Sequence, residues 1–194
     1  MWTRAINTRR VSVAALISIV FLVAGVMVNG PAGEVEAQNA SADYFLELDG
    51  IEGESLDDEH RGEIEILSYS WGMSNPTSIG SGGLSGGKVS MKEFIFTMRG
   101  GKASPQLFLH CAQGTHIREG IITVRTSGHT FVTWELKDVV ITSFKTRVDP
   151  GTGTPTEEVR MKFVQIVVTH FVQNSDGTTS VVKAGWDLAK NKKI

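Results

Sequence analysis

One cysteine in 194 residues, Cys111, is too few for an internal disulfide and rules out a zinc site built on several thiolates. Charge of one sign is also missing. There are 19 basic and 21 acidic residues, and without Arg4, Arg9, Arg10, Glu34 and Glu36 in residues 1–42 the balance is 16 to 19, a formal −3. No basic face for nucleic acid and no block of like charge follows from that balance. The five histidines, His60, His110, His116, His129 and His170, form no His-x-His or His-x-x-x-His pair. Each sits near an expected loop or strand end, where a surface role suffices. There is no Gly-x-Ser-x-Gly elbow for a serine nucleophile, and no repeat period. What remains is ordinary: 41% hydrophobic and 21% charged residues, enough for one folded domain with a real core.

Long apolar runs are absent too, with one exception. Val11 to Val28 is apolar apart from Ser12, Ser18 and Gly25, and it follows Arg4, Arg9 and Arg10. Small residues at Val35-Glu36-Ala37 and Ala40-Ser41-Ala42 offer cleavage patterns, so residues 1–42 read as a secretory signal. The run spans ~27 Å as helix, close to the ~30 Å hydrocarbon core, so the alternative is an uncleaved anchor with spacer. A membrane partner is expected only through residues 11–28, if they are retained. The protein is then exported, periplasmic or secreted. If Met27 is the true start, the product is cytoplasmic and secreted afterwards by another route.

Residues 43–194 read as mainly β with one short helix. Tyr44–Leu48 is a strand stopped at Asp49-Gly50. Glu63–Ile66 alternates, and Leu67–Trp71 alternates in the opposite phase, which predicts a β-bulge near Ile66-Leu67. A strand from Lys88 to Met98 puts Phe94, Phe96 and Met98 on one face. Ser104-Pro105 supplies a hydroxyl N-cap and a first-turn proline for a helix with the stripe Leu107, Phe108 and Cys111, closed by Gly114. After a turn at Ser127-Gly128-His129 comes a long strand with Val132, Trp134, Leu136 and Val140 sharing a face. Asp149–Pro155 is a loop. Val159, Met161 and Phe163 then alternate with charged residues, but Phe163, Val164, Ile166, Val167 and Val168 are apolar on both faces. With only one short helix available, a neighbouring subunit is expected to supply the second cover. Asn174–Gly177 is a hairpin turn before the last strand, Thr178–Gly185.

The run Gly-Ser-Gly-Gly-Leu-Ser-Gly-Gly-Lys-Val over residues 80–89 is one residue from a phosphate-binding loop. That motif needs Ser or Thr after the lysine and a helix leaving the glycines. Val89 stands in the hydroxyl position and a strand follows, so the reading is a flexible connection. His110-Cys111 suggests a thiol and its base, but neighbours on a helix diverge by about 100°. Asp57-Asp58-Glu59 lacks the spacing of a calcium loop and reads as a solvated acidic loop. No catalytic residue, cofactor or metal site is expected.

Several stretches resemble the haemolysin-coregulated protein (Hcp) family of type VI secretion systems. They are Ala42–Ser55, His60–Gly72, the glycine run through Lys88-Val89, Lys102–Leu107, Gly114–Ile117 and Lys183–Lys192, in family order over nearly all of residues 42–194. The resemblance implies a two-sheet, partly open β-barrel or sandwich with one helix, assembled as homohexameric rings that stack into a tube. It implies as partners other copies of the chain, secreted effectors, and the spike and sheath proteins of the machine. It also gives the glycine loop a stacking role, carried by Gly80, Gly82, Gly83, Leu84, Gly86, Gly87 and Lys88. Family members usually begin almost at the Asp-Tyr-Phe strand, so residues 1–42 are a departure. The competing expectation is a secreted monomeric β-sandwich that binds a ligand through residues 52–62 or 149–156. A hydrolase using His110 or Cys111 is a third.

Overall fold

The structure is a computed structural model that describes residues 42–194 except 81–82, 149–150 and 152. The signal-or-anchor reading of residues 1–42 lies outside the described residues apart from Ala42, as do Gly82 and parts of the 149–155 loop. The strands are β1 (Ala42–Leu48), β2 (Ile64–Ser70), β3 (Met73–Ser74), β4 (Thr77–Gly80), β5 (Gly83–Gly86), β6 (Ser90–Met91) and β7 (Phe94–Arg99). Helix α1 (Ser104–Gln113) follows, then β8 (His116–Thr126), β9 (His129–Val148), β10 (Pro155–Lys162), β11 (Gln165–Gln173), β12 (Thr179–Asp187) and β13 (Lys192–Lys193).

Antiparallel pairing runs β10-β7-β2-β1-β8-β9, and β9 pairs back onto β10, so six strands close a barrel. Closure depends on the 20-residue β9 serving two partners. Residues 140–148 pair with β10, and residues 132–137 pair with β11. The chain therefore runs up one long strand and back beside it, with a break at Phe163-Val164. Strands β11, β12 and β13 extend from β9 outside the closed ring.

Alternation fills the barrel. Leu46, Leu48, Ile64, Ile66, Phe94, Phe96, Met98, Ile122, Val159 and Met161 point inward and are buried. Tyr69 stacks on Phe94 at 5.6 Å and meets the edge of Trp134 at 5.2 Å. Burial raises the Tyr69 phenol above its ordinary pKa.

The expected bulge is present: the β2–β7 register shifts between Ile66 and Ser68, leaving Leu67 outside. Three local expectations change. In β9, Val132 and Leu136 are buried as expected, but Val139 and Ile141 are buried in place of Val140. Asp138 causes this by taking φ 55, which reverses the inward phase. The expected strand from Lys88 to Met98 is two, β6 and β7. The helix cap is Ala103, with no side-chain cap bond. Ser104 instead turns back, accepting the Gly101 N–H at 2.9 Å and donating to buried Glu157 at 2.6 Å. Gly114 closes the helix at φ 64 as expected. Leu107 of the helix stripe is buried, whereas Phe108 is exposed and touches the edge of Phe144 at 6.3 Å.

Candidate subunit interface

Two β-ribbons stand apart from the barrel. The first runs from Gly72 to Lys92, and its roots are tied by the Lys92 N–H donating to the Gly72 carbonyl at 2.9 Å. Met73 pairs with Met91 and Ser74 with Ser90. The Gly87 N–H donates to the Pro76 carbonyl at 2.8 Å, and Thr77 to Gly80 then pairs with Gly86 to Gly83. Gly83–Gly86 of the glycine run is thus one leg of a paired hairpin arm rather than a loop without strand pairing, while Ser81 and Gly82 lie outside the described residues. Glycine has a steric job at one point: a Cβ on Gly87 would lie 2.7 Å from the Pro76 carbonyl oxygen, so any side chain would push the legs apart. Lys88 is exposed on the arm, and no helix follows it.

The second ribbon is the β11–β12 hairpin. Pairing with β9 stops at His170–Val132, and β12 runs on with β11 to Gln173–Thr179. At and beyond that point it exposes several apolar side chains. Val181 is 58% exposed, Val182 62% and Phe131, on the adjoining stretch of β9, 53%; Val172 is exposed as well. The Phe131 ring meets His170 edge-on at 5.5 Å. Adjacent valines on a strand face opposite ways, so both faces of the ribbon are apolar. Such a patch marks an interaction surface. Among the described residues, the outer backbone edge of β12 has no strand partner from Thr179 to Ala184; the Ile194 N–H donates to the Gly185 carbonyl at 3.2 Å, and β13 then pairs with Trp186 and Asp187.

The expected interface strand falls in two parts. Phe163 and Ile166 are buried in the chain's own core, and Phe163 packs toward Trp71 at 6.4 Å. Val164, Val167 and Val168 are half-buried. Much of the second cover therefore comes from this chain, and the open apolar surface lies further along the same ribbon.

The acidic loop is less solvated than expected. Arg125 is mostly covered and holds Asp57 in a two-pronged pair, one prong at 3.0 Å, with Glu59 at 3.5 Å and Asp43 at 3.7 Å. That hydrogen bonding pulls the Asp57 carboxyl down to about 2, helped by the backbone N–H groups of Glu59 and His60. His60 stacks on Phe45 at 4.3 Å, and the Arg125 guanidinium lies 5.1 Å from the centre of the same Phe45 ring. Gly53 makes the fit possible, since a Cβ there would sit 2.2 Å from the Glu63 oxygen. Loop 52–63 is thus a fixed cover on the outer face of β1.

His110 and Cys111 are not brought together as acid–base partners. The His110 Nδ1 donates to the Gln106 carbonyl at 2.9 Å within its own helix. His116 instead pairs with Asp138. Among the described residues no group of three or more His, Cys, Asp and Glu side chains is arranged to hold a metal ion, and no helix is long and apolar enough to cross a membrane.

A barrel with one helix and two unpartnered ribbons can be set beside known proteins. The family model described as "Type VI secretion system effector, Hcp" matches residues 45–170. The chain belongs to the Hcp family. Protein hcp1 of Pseudomonas aeruginosa is 34% identical over 158 residues, covering 78% of this chain and 98% of that protein. The crystal structure of Hcp1 from Salmonella typhimurium superposes with a TM-score of 0.68 at 32% identity, over 79% of this chain and 99% of its own. A type VI secretion system effector from Yersinia pestis gives 0.64 at 31%, over 75% and 99%. These Hcp relatives are matched over nearly their whole length. The overall fold of this chain is therefore that of its Hcp relatives.

Proposed function

We propose that this Hcp protein is a structural subunit of a type VI secretion tube. Copies close into homohexameric rings, the rings stack, and the tube carries or accompanies secreted effectors between spike and sheath proteins. The observation that supports this most directly is the match over nearly the whole length of the Hcp relatives, in a chain whose two ribbons expose Met73, Val172, Val181 and Val182. A cyclic ring uses two different patches per copy, and two separate ribbons suit that need. The subunit works by shape, with no catalytic group assigned. Stacking is assigned to the arm through Gly80, Gly82, Gly83, Leu84, Gly86, Gly87 and Lys88, and lateral contact to the β11–β12 ribbon. A secreted monomeric ligand-binding sandwich is not favoured by these relatives.

Residues 1–42 lie upstream of the region the family model covers, and we assign them to export or membrane attachment. Mass photometry of the full chain at micromolar concentration is expected to give hexamers, and a stable monomer would contradict the reading. N-terminal sequencing of the natural protein, fraction by fraction, is expected to find a chain beginning near residue 37 or 42. An intact start in the membrane fraction would indicate an anchor.

A further inference from the structure

The near-even overall charge hides a local excess. Strands β2, β7, β10 and β9 lie side by side and share one outer face. With Phe96, Met98, Val159 and Met161 buried in the barrel, alternation puts Thr97, Arg99, Glu158, Arg160 and Lys162 outside. Register sets Glu158 opposite Lys145, and Thr156 opposite both Arg147 and Arg99. Five cations therefore stand on this face: Arg99, Lys145, Arg147, Arg160 and Lys162.

Among the described residues, two carboxylates answer them. Glu158 meets Arg160 at 2.9 Å, Arg147 at 3.4 Å and Lys145 at 3.8 Å. Glu93 meets Lys162 at 3.8 Å and Arg160 at 4.0 Å. Arg99 is exposed and has no ion pair among the described residues. The carboxylates are also the covered members: Glu158 is 16% exposed and Glu93 27%, against 66% for Arg147 and 68% for Lys162. Five cations less two carboxylates leave a formal +3, on a chain whose residues 43–194 sum to −3.

What such a face can hold follows from its other residues. Around the cations it carries the hydroxyls of Ser68, Ser70, Thr97, Thr142, Ser143 and Thr156, and no aromatic ring among the described residues. Bases of a nucleic acid have nothing there to stack on. A nucleic acid also carries charge at every nucleotide and would press phosphates onto Glu93 and Glu158. A protein can space its carboxylates to meet the cations alone. Lys145 and Arg147, like Arg160 and Lys162, are alternate strand residues about 6.6 Å apart, the spacing of alternate residues on another extended segment. Exposed ion pairs are individually weak and screened by salt. Several together hold a protein without trapping it, as carriage and release require. Resting on the tube reading above, in which the ribbons make the contacts between copies, we infer that this basic sheet face holds an acidic surface of the carried protein.

The test uses the full chain and a short fluorescent poly-L-glutamate, with binding read by anisotropy and ring formation by mass photometry. Arg99→Gln, Arg147→Gln and Lys162→Gln together leave the Glu158–Arg160 pair intact and bring the face to neutrality. This triple variant is expected to bind the probe at least tenfold more weakly while forming rings like the parent. A control triple, Arg118→Gln, Lys192→Gln and Lys193→Gln, removes as much charge from exposed positions elsewhere and should bind like the parent. Equal losses in both would overturn the inference, since net charge and not this face would govern binding. Tighter binding of a single-stranded DNA of equal charge would also overturn it, making nucleic acid the partner. Rings that form normally and bind no probe would overturn the inference and leave the tube reading standing. A parent without rings would remove the tube reading, and the carriage with it.

Discussion

The closed barrel and the two ribbons are built from the same antiparallel pairing, yet they handle apolar surface in opposite ways. In the barrel each inward residue meets another from the same chain, and Phe94, Phe96, Leu136 and Met161 are wholly buried. On the ribbons, Met73, Val181 and Val182 are each more than half exposed. Closure explains the difference. A barrel that pairs its last strand to an earlier one has no edge left, whereas a hairpin has two. On the proposed reading, it is the ribbons that another copy completes.

The largest expected effect strikes the barrel. Phe96→Ala should cost about 3–5 kcal/mol, through lost burial and the cavity left behind. Urea unfolding of the full chain would show this, and assembly should fail with it. A loss under about 1 kcal/mol would mean that the ribbons hold the barrel together.

Val182→Asp should do the reverse. Unfolding should move by no more than about 0.5 kcal/mol, as for an ordinary surface change, while ring formation drops at least tenfold in sizing chromatography. If it unfolds the subunit instead, the distinction between barrel and ribbon fails.

Gly53→Ala is expected to loosen loop 52–63 by about 1–3 kcal/mol, because the Glu63 backbone must move away. Proteolysis between residues 54 and 62 should accelerate, with little change in ring formation.

A smaller effect concerns acid. The Asp57 carboxyl titrates near 2 in the folded protein, below its ordinary 3.8. Its contribution to stability is therefore present above about pH 4 and is lost as the pH falls toward 2. Asp57→Asn should unfold more easily than the parent at pH 7, and the gap should close by pH 2. A constant gap would show that Arg125 does not hold this carboxylate.

Much of the barrel was legible in the sequence, because strand burial follows period two and the pattern was clean in β7 and β10. The bulge in β2 was legible for the same reason, as a phase error between Ile66 and Leu67. The reversal in β9 was not. A non-glycine residue at positive φ such as Asp138 leaves no mark in an apolar pattern, so Val140 was expected inside and Val139 was missed. The arm was misread because glycine disfavours strands in general. Here the pairing is local, and Gly87 is required by the close approach of Pro76. The proposed interface draws on one signal in the sequence. Apolar character on both faces singled out residues 163–168, but sequence cannot distinguish cover from Trp71 in the same chain from cover by a neighbour. Phe163 and Ile166 thus belonged to the core. The exposed signal at Val181 and Val182 was available as adjacent valines in a short strand.

The central idea is that assembly completes the ribbons and leaves the barrel as it was. Hydrogen exchange of the full chain, followed by mass spectrometry on either side of its assembly concentration, reads this peptide by peptide. Protection should rise over residues 72–92 and 170–183 on assembly and stay level over β1, β7, β8 and β10. Protection gained across the barrel strands, with the two ribbons unchanged, would contradict it.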